Sequence, residues 1–302
     1  MQKYGNFLEI GITQALEAKF EKMIIFREAA DITAFIAKKK QSAAGIGFVP
    51  TMGALHPGHI SLIGSSKKNG DLTVCSIFVN PTQFNDRHDF EKYPTTIEND
   101  IDRLENAGCD ILFLPDMHEI YPDGTENAPH YGLGYLEKLL EGSFRPGHFQ
   151  GVCQVVHRLL VIVQPHRLYL GQKDFQQCSV IKKLVQLTGM AIEVVVCPTQ
   201  READGLAMSS RNMRLNDAER KRAVKIYETL CFIKKEVRNG YLEDLKERAR
   251  QYLTGEGFKV DYVEIADAAT LEPLENWDGK TPLVALIAAF LDEVRLIDNM
   301  LL

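Results

Sequence analysis

What the sequence lacks narrows its class before any motif is read. No apolar run approaches the ~20 residues that a membrane-spanning helix requires, so no span is expected. Basic residues are not in excess: 35 Lys and Arg stand against 41 Asp and Glu, for a net charge of −6. A nucleic-acid partner calls for a basic excess or stripe, and none is present; a small anionic ligand needs only a local positive pocket and stays open. The six cysteines, Cys75, Cys109, Cys153, Cys178, Cys197 and Cys231, form no CxxC pair and mostly fall in apolar runs such as VCSIFV. They read as buried, reduced thiols rather than disulfides or a structural zinc site. The opening stretch, MQKYGNFLEIGITQALEAKFEKM, carries acidic residues and no uninterrupted apolar segment. That composition argues against a secretory signal or transit peptide and for a cytoplasmic address. Internal repeats, low-complexity tracts and long linkers are also missing.

What is present is ordinary in bulk and specific in order. A chain of 302 residues with 45% hydrophobic and 25% charged side chains has the make-up of a soluble globular protein with a well-buried core. Residues 1–22 read as a weakly amphipathic extension. MIIF (Met23–Phe26) suits a first strand, followed by a helix over DITAFIAKKK with Asp31 as its cap and lysines at its end. GIGFV, LTVCSIFVN, CDILFLP, RLYLG and AIEVVVCP read as further strands, continuous in apolar character as strands covered on both faces should be. Helical stretches separate them. One runs from about Gly58 to Lys68, one spans PTTIENDIDRLENAG with its proline at the start, one covers HFQGVCQVVHRLLVIVQP, and FQQCSVIKKLVQLTG closes on Gly189. The alternation predicts an α/β fold, a Rossmann-like doubly wound parallel sheet over residues 23–198. From about Thr199 the pattern becomes helices followed by the strands VDYVEIAD, LVALIAAFL and RLIDN. This predicts a smaller C-terminal α+β domain over residues 199–302.

In a doubly wound sheet, ligands bind at the carboxyl ends of the strands. Three polar clusters fall there: TMGALHPGH, NPTQF and GQKDFQQ. In the first, His56 and His59 sit at the mouth of a helix, where free N–H groups attract phosphate and imidazoles add donors. Two histidines alone could also be half a metal site, but no third ligand has suitable local spacing. In the third, Lys173 can neutralise phosphate charge and Asp174 can accept from a ribose hydroxyl. Asn80, Gln83 and Gln177 are neutral amides able to orient hydroxyls and carboxylates, with Gln150 and His148 in RPGHFQGV of the same kind. Farther on, the small-residue loop Met208-Ser209-Ser210-Arg211 offers two hydroxyls and a guanidinium fork. No nucleophile–base triad is evident.

FVPTMGALHPGH, SIFVNPTQF, LEGSFRPGHFQGV, LGQKDFQQ and DGLAMSSRN, occurring in this order, closely resemble the pantoate–β-alanine ligases of the HxGH nucleotidyltransferase superfamily. The likeness runs from about Met23 to Asn299; residues 1–22 precede it. It implies an ATP-dependent, AMP-forming condensation of pantoate with β-alanine through a pantoyl adenylate, giving pantothenate, AMP and pyrophosphate. It further implies that Met52, Gly53, Ala54, Leu55, His56, Pro57, Gly58 and His59 lie along ATP, with His59 as proton donor. Gly171, Gln172, Lys173 and Asp174 would bind nucleotide, as would the backbone at Gln200. Met208, Ser209, Ser210 and Arg211 would close over the triphosphate. Gln83 and Gln177 would hold pantoate, Gln83 would serve β-alanine too, and Asn80 would help position substrate. Mg²⁺ would arrive mainly on ATP oxygens, with Asp100 a candidate ligand, and the family implies a homodimer. Two departures stand out, Gln200 in CPTQREADG and the glutamine of GQKD. Neither removes a charge the chemistry needs.

Overall fold

The computed structural model describes residues 23–42 and 45–302, so the extension expected over residues 1–22 lies outside the described residues. Six parallel strands form the central sheet: β1 (Ile24–Phe26), β2 (Ile46–Thr51), β3 (Leu72–Ile77), β4 (Ile111–Phe113), β5 (Arg167–Gly171) and β6 (Glu193–Cys197). Their order across the sheet is β1-β4-β3-β2-β5-β6. From β2 the chain builds outward through β3 and β4, then crosses to add β5 and β6 on the other side. The reversal lies between β2 and β5, which is where a doubly wound sheet opens a crevice.

Alternation along the strands shows why both faces must be covered. Phe48, Val74, Ile111, Phe113, Leu168 and Leu170 join one core, while their neighbours Val49, Cys75, Leu112 and Tyr169 join another. The first face is covered by helices α1 (Ala29–Gln41), α4 (His148–Val163) and α5 (Phe175–Thr188). The second is covered by α2 (Pro57–Lys68) and α3 (Ile97–Asn106) through Leu62, Ile63 and Leu104. Positions pointing to either face are therefore mostly apolar, and the runs read as nearly continuous.

The C-terminal part adds α6 (Asp217–Ala223), α7 (Lys225–Glu236), α8 (Glu243–Gly255), a two-residue strand pair β7 (Gly240–Tyr241) with β9 (Asn276–Trp277), and an antiparallel sheet. That sheet has the order β11 (Val294–Leu301), β10 (Leu283–Leu291), β8 (Lys259–Asp267). Ala285, Ile287 and Ala289 of β10 pack with Ile226, Leu230 and Leu253 of the helices. Val284, Leu286 and Ala288 on the opposite face join the core of the parallel sheet. The antiparallel sheet is thus buried on both sides, and β10 is apolar along its whole length.

Three local expectations change. Asp31 lies in the first turn of α1 rather than capping it: the helix starts at Ala29, whose N–H is met by Glu119 Oε2 at 2.7 Å. A distant carboxylate has taken the cap's role. Pro94 precedes α3 instead of opening it, since the helix begins at Ile97 after Thr96. Five cysteines are buried, but Cys231, on the solvent side of α7, is exposed.

Candidate active site

The carboxyl end of β2 leads into a loop built on tight backbone geometry. Gly53 takes φ +82° and Ala54 φ +49°, left-handed values that glycine accepts and alanine resists. The buried carboxylate of Asp100, on α3, holds this shape: its Oδ2 accepts from Ala54 N–H at 2.8 Å and its Oδ1 from Leu55 N–H at 2.7 Å. Thr96 Oγ1 donates to the same carboxylate at 3.1 Å. Asp100 was a candidate metal ligand by sequence. Its oxygens are instead committed to the loop backbone, so the expectation is corrected: this residue shapes the loop from behind.

Helix α2 then starts with two imidazoles in place of the usual hydroxyl caps. His56 Nδ1 accepts from Gly58 N–H at 3.2 Å, and His59 Nδ1 accepts from His56 N–H at 3.3 Å. Backbone N–H groups can only donate, so each ring in its neutral form carries its proton on Nε2. The rings stack with centroids 4.0 Å apart. Burial, the neighbouring His59 and Lys173 push His56 down to about 3, and burial with Lys173 pushes His59 down to about 4. Both are neutral N–H donors at physiological pH, at the positive end of a helix dipole.

At the end of β3, Pro81–Gln83 forms a short turn lying on α4. A Cβ at Gly151 would run into the Thr82 carbonyl, so only glycine lets the helix approach. Asn80 is buried, donates to the Gly151 carbonyl at 3.1 Å and accepts from Tyr121 Oη at 2.8 Å. It also donates to Gln83 Oε1 at 3.2 Å, fixing that amide. Gln83 Nε2 in turn faces Met52 Sδ. His148 Nδ1 lies 2.7 Å from the Gln83 carbonyl, which can only accept, and its Nε2 lies 3.2 Å from Arg145 Nη1, which can only donate. His148 is therefore neutral as well, pushed down to about 3 by burial and by Arg145.

The end of β5 carries the turn Gln172–Asp174, which places Lys173, Asp174 and then Gln177 on the cleft. Gln176 points the other way, bonding the Glu141 N–H and the Leu136 and Leu139 carbonyls. Across the cleft comes the Met208–Arg211 loop. Ser210 Oγ donates to the Ala54 carbonyl at 3.0 Å, tying this loop to the first one. Ser209 Oγ accepts from Arg211 N–H, and the Arg211 guanidinium is paired with Asp89 at 2.7 Å beside Tyr93.

One cleft collects these groups. Its walls include Met52, His56, Gly58, His59, Asn80, Gln83, Gly171, Lys173, Asp174, Gln177, Gln200 and Met208–Arg211. Two smaller recesses share Arg145, Lys173 and Asp174 with it and extend it toward β11. Gly53, Ala54, Leu55, Pro57 and Gln172 are not on its wall and shape the segments behind it. Gln150 bonds both backbone groups of Tyr131 and faces away from the cleft. Sequence reasoning passed over Arg145, a wall residue pushed down to about 10 by burial, although it stands in the quoted RPGH segment. It also passed over Tyr93, for which the sequence carries no signal.

Fold and site together define an α/β nucleotide-binding enzyme in which a dinucleotide-type sheet opens at its switch point onto neutral imidazoles, one lysine and a guanidinium loop. Comparison with known proteins narrows the class. The sequence model of the pantoate–β-alanine ligase family matches residues 24–301. A pantothenate synthetase of Cytophaga hutchinsonii is 44% identical over 93% of this chain and 99% of its own. One of Acetivibrio thermocellus is 43% identical over 92% of this chain and 99% of its own. Among solved structures, pantothenate synthetase of Thermus thermophilus superimposes with a TM-score of 0.82 at 38% identity, covering 92% of this chain and 99% of that one. The Francisella tularensis ligase, solved with β,γ-ATP and β-alanine, gives 0.77 at 40% identity over 92% and 97%. The chain belongs to the pantoate–β-alanine ligase family. Its activity is the ATP-dependent condensation of pantoate with β-alanine.

Proposed function

We propose that the condensation runs through a pantoyl adenylate assembled in this cleft. A carboxylate is a poor electrophile. When a pantoate oxygen attacks the α-phosphate of ATP, pyrophosphate leaves and the acyl carbon gains AMP as its leaving group. The amine of β-alanine then attacks that carbon, loses a proton, and expels AMP to give the amide. Neither step needs a protein nucleophile. Each needs alignment, for which orientation can supply about 7–11 kcal/mol, and fixed donors where charge develops.

The observation that carries this reading is the shared geometry of His56 and His59. Both Nδ1 atoms are held by backbone N–H groups, leaving the Nε2–H groups as donors toward phosphate oxygens. His59 then acts as a neutral hydrogen-bond donor rather than an imidazolium, which is what its lowered pKa favours. Lys173 takes the β- and γ-phosphates, Asp174 a ribose hydroxyl, and the Gln200 backbone the nucleotide. Gln83 and Gln177 hold pantoate, with Gln83 oriented by Asn80 and serving β-alanine in the second step. Ser209 and Arg211 close over the triphosphate.

Among the described residues, no group of three or more His, Cys, Asp and Glu is placed to hold a metal, and Asp100 is committed elsewhere. That donor set fits Mg²⁺ carried by ATP, which keeps its waters and takes few protein ligands. Bound there it would neutralise phosphate charge. We also place the division between the two units near residue 199. In support, the second core draws all its buried residues from Leu206 onward. A homodimer in the cytoplasm is the expected setting, and no described helix is long and apolar enough to cross a membrane.

The test is AMP release with each substrate omitted in turn, alongside ATP–pyrophosphate exchange. Exchange should need ATP and pantoate but not β-alanine, and AMP turnover should need all three. Exchange that requires β-alanine would sink the adenylate. AMP release independent of pantoate would point to another nucleotidyltransferase.

A further inference from the structure

The strand β11 runs behind the cleft and packs against both the Gln172–Asp174 turn and the Ser210–Arg214 turn. Two adjacent residues on it, Asp298 and Asn299, are 4% and 2% exposed. Successive side chains on a strand point to opposite sides, and here each side meets a different segment of the site. Asn299 Nδ2 donates to the backbone carbonyls of Gln172 at 3.0 Å and Lys173 at 2.8 Å. Asp298 accepts from Arg201, Oδ2 from Nη1 at 2.6 Å and Oδ1 from Nη2 at 3.0 Å.

Arg201 stands at the root of the loop that carries Met208–Arg211. It pairs with Ala207 in an antiparallel bridge, and Met208 N–H donates to the Gln200 carbonyl at 3.0 Å just beside it. Its guanidinium also donates to the carbonyls of Gly205 at 3.0 Å and Asn299 at 3.2 Å, and lies over the Tyr227 ring. A buried carboxylate and amide are costly unless fully bonded. Apolar residues would serve a strand that only had to fill space. These two side chains spend their polar atoms on backbone groups and a guanidinium belonging to the segments that carry Lys173 and Arg211.

We propose that Asp298 and Asn299 are positioning residues that hold the Lys173 turn and the Arg211 loop in register, so that cations from two distant segments meet one triphosphate. This rests on reading Lys173 and Ser209–Arg211 as phosphate-facing. Neither β11 residue need touch substrate.

The experiment is calorimetric binding of a non-hydrolysable ATP analogue to the full chain, with KM for ATP and for pantoate measured in parallel. Asn299→Ala is expected to lose about ten-fold in analogue affinity, with a matching rise in KM for ATP and pantoate KM within about two-fold. Asn299→Asp has the same shape but no N–H for the two carbonyls, and should behave like it. In a Lys173→Ala background, Asn299→Ala should add less than about two-fold, because its effect runs through that lysine. On the other arm, Arg201→Lys keeps the charge and loses the fork. It should raise KM for ATP about three- to ten-fold with the same indifference to pantoate, and it carries the test if the Asn299 variants fail to fold. Equal losses for ATP and pantoate, or an undiminished Asn299 effect without Lys173, overturn the relay. Unchanged ATP affinity in Asn299→Asp or in Arg201→Lys, while Lys173→Ala lowers it, does the same. If Lys173→Ala itself leaves analogue affinity unchanged, the phosphate-site reading fails first and takes the relay with it.

Discussion

Two segments face the cleft from opposite walls, and they are held in opposite ways. The Met52–His59 segment is pinned by the buried Asp100 carboxylate, which takes two loop amides at 2.7 and 2.8 Å, and by two imidazoles that take amides at the start of α2 at 3.2 and 3.3 Å. The Met208–Arg211 segment meets that first wall through the bond from Ser210 to Ala54, is tied at its root by Met208 N–H to the Gln200 carbonyl, and carries a guanidinium neutralised by a part-exposed carboxylate, Asp89, which also pairs with Arg214. The first arrangement is preorganised, with donors fixed before any ligand arrives. The second stores a positive charge against a partner that a triphosphate could displace. Fixed dipoles stabilise developing charge without reorganising, whereas a guanidinium held by an ion pair can exchange that partner for a phosphate.

The comparison can be broken most severely at its rigid half. His59→Ala should lower ATP–pyrophosphate exchange by roughly 10²–10³-fold, the usual cost of one fixed donor, while circular dichroism and melting show a folded protein. Unchanged exchange would remove His59 from the mechanism. Next in size, Asp100→Asn places an amide N–H against one of the two loop N–H groups it now accepts. Leaving such a buried donor unmet costs about 1–3 kcal/mol, so the denaturant midpoint should fall and KM for ATP should rise. Full stability with normal ATP affinity would show that the loop keeps its shape without this carboxylate.

The Met208–Arg211 half predicts a smaller effect of opposite sign. Asp89→Asn frees Arg211, so apparent ATP affinity should improve by roughly two- to five-fold as the competent form becomes more populated. A weaker affinity would mean that Asp89 orients the guanidinium instead of competing for it. The smallest effect is on pH. With His56 near 3 and His59 near 4, exchange should show no limb attributable to these rings between pH 5.5 and 8, to be checked in buffers of constant ionic strength. The sign for stability follows from the same depression. His56, His59 and His148 titrate below the ordinary value of 6.5, so the unfolded chain binds protons first. Stability from these groups is complete above about 6.5 and is lost as the pH falls toward 4 and then 3. A denaturant midpoint that rose on acidification through this window would contradict the neutral-ring assignment.

The alternation of strands and helices was legible because burial on both faces makes β2, β3 and β5 predominantly apolar, and that is a local property. So was the placement of TMGALHPGH, NPTQF and GQKD at strand ends. Charge order, glycine positions and helix starts all lie within a few residues of one another. Local pattern alone does not say which of two adjacent, chemically equal residues faces the cleft; the choice of Gln177 comes from the family motif. Gln176 and Gln177 differ only by about 100° of helix rotation, yet one holds the Glu141 backbone and the other lines the site. Asp100 looked like an acidic ligand until the fold set its oxygens on the amides of Ala54 and Leu55.

By itself, then, the sequence determined the parallel sheet, the end of it that would carry chemistry, and the residue types gathered there, since each follows from short-range pattern. The tertiary structure alone decided the partners. The 46 positions between Ala54 and Asp100, the 122 between Asp89 and Arg211 and the 126 between Lys173 and Asn299 are closed only by folding. Hydrogen bonds act over about 3 Å, so no periodicity along the chain can foretell which group will stand at the other end.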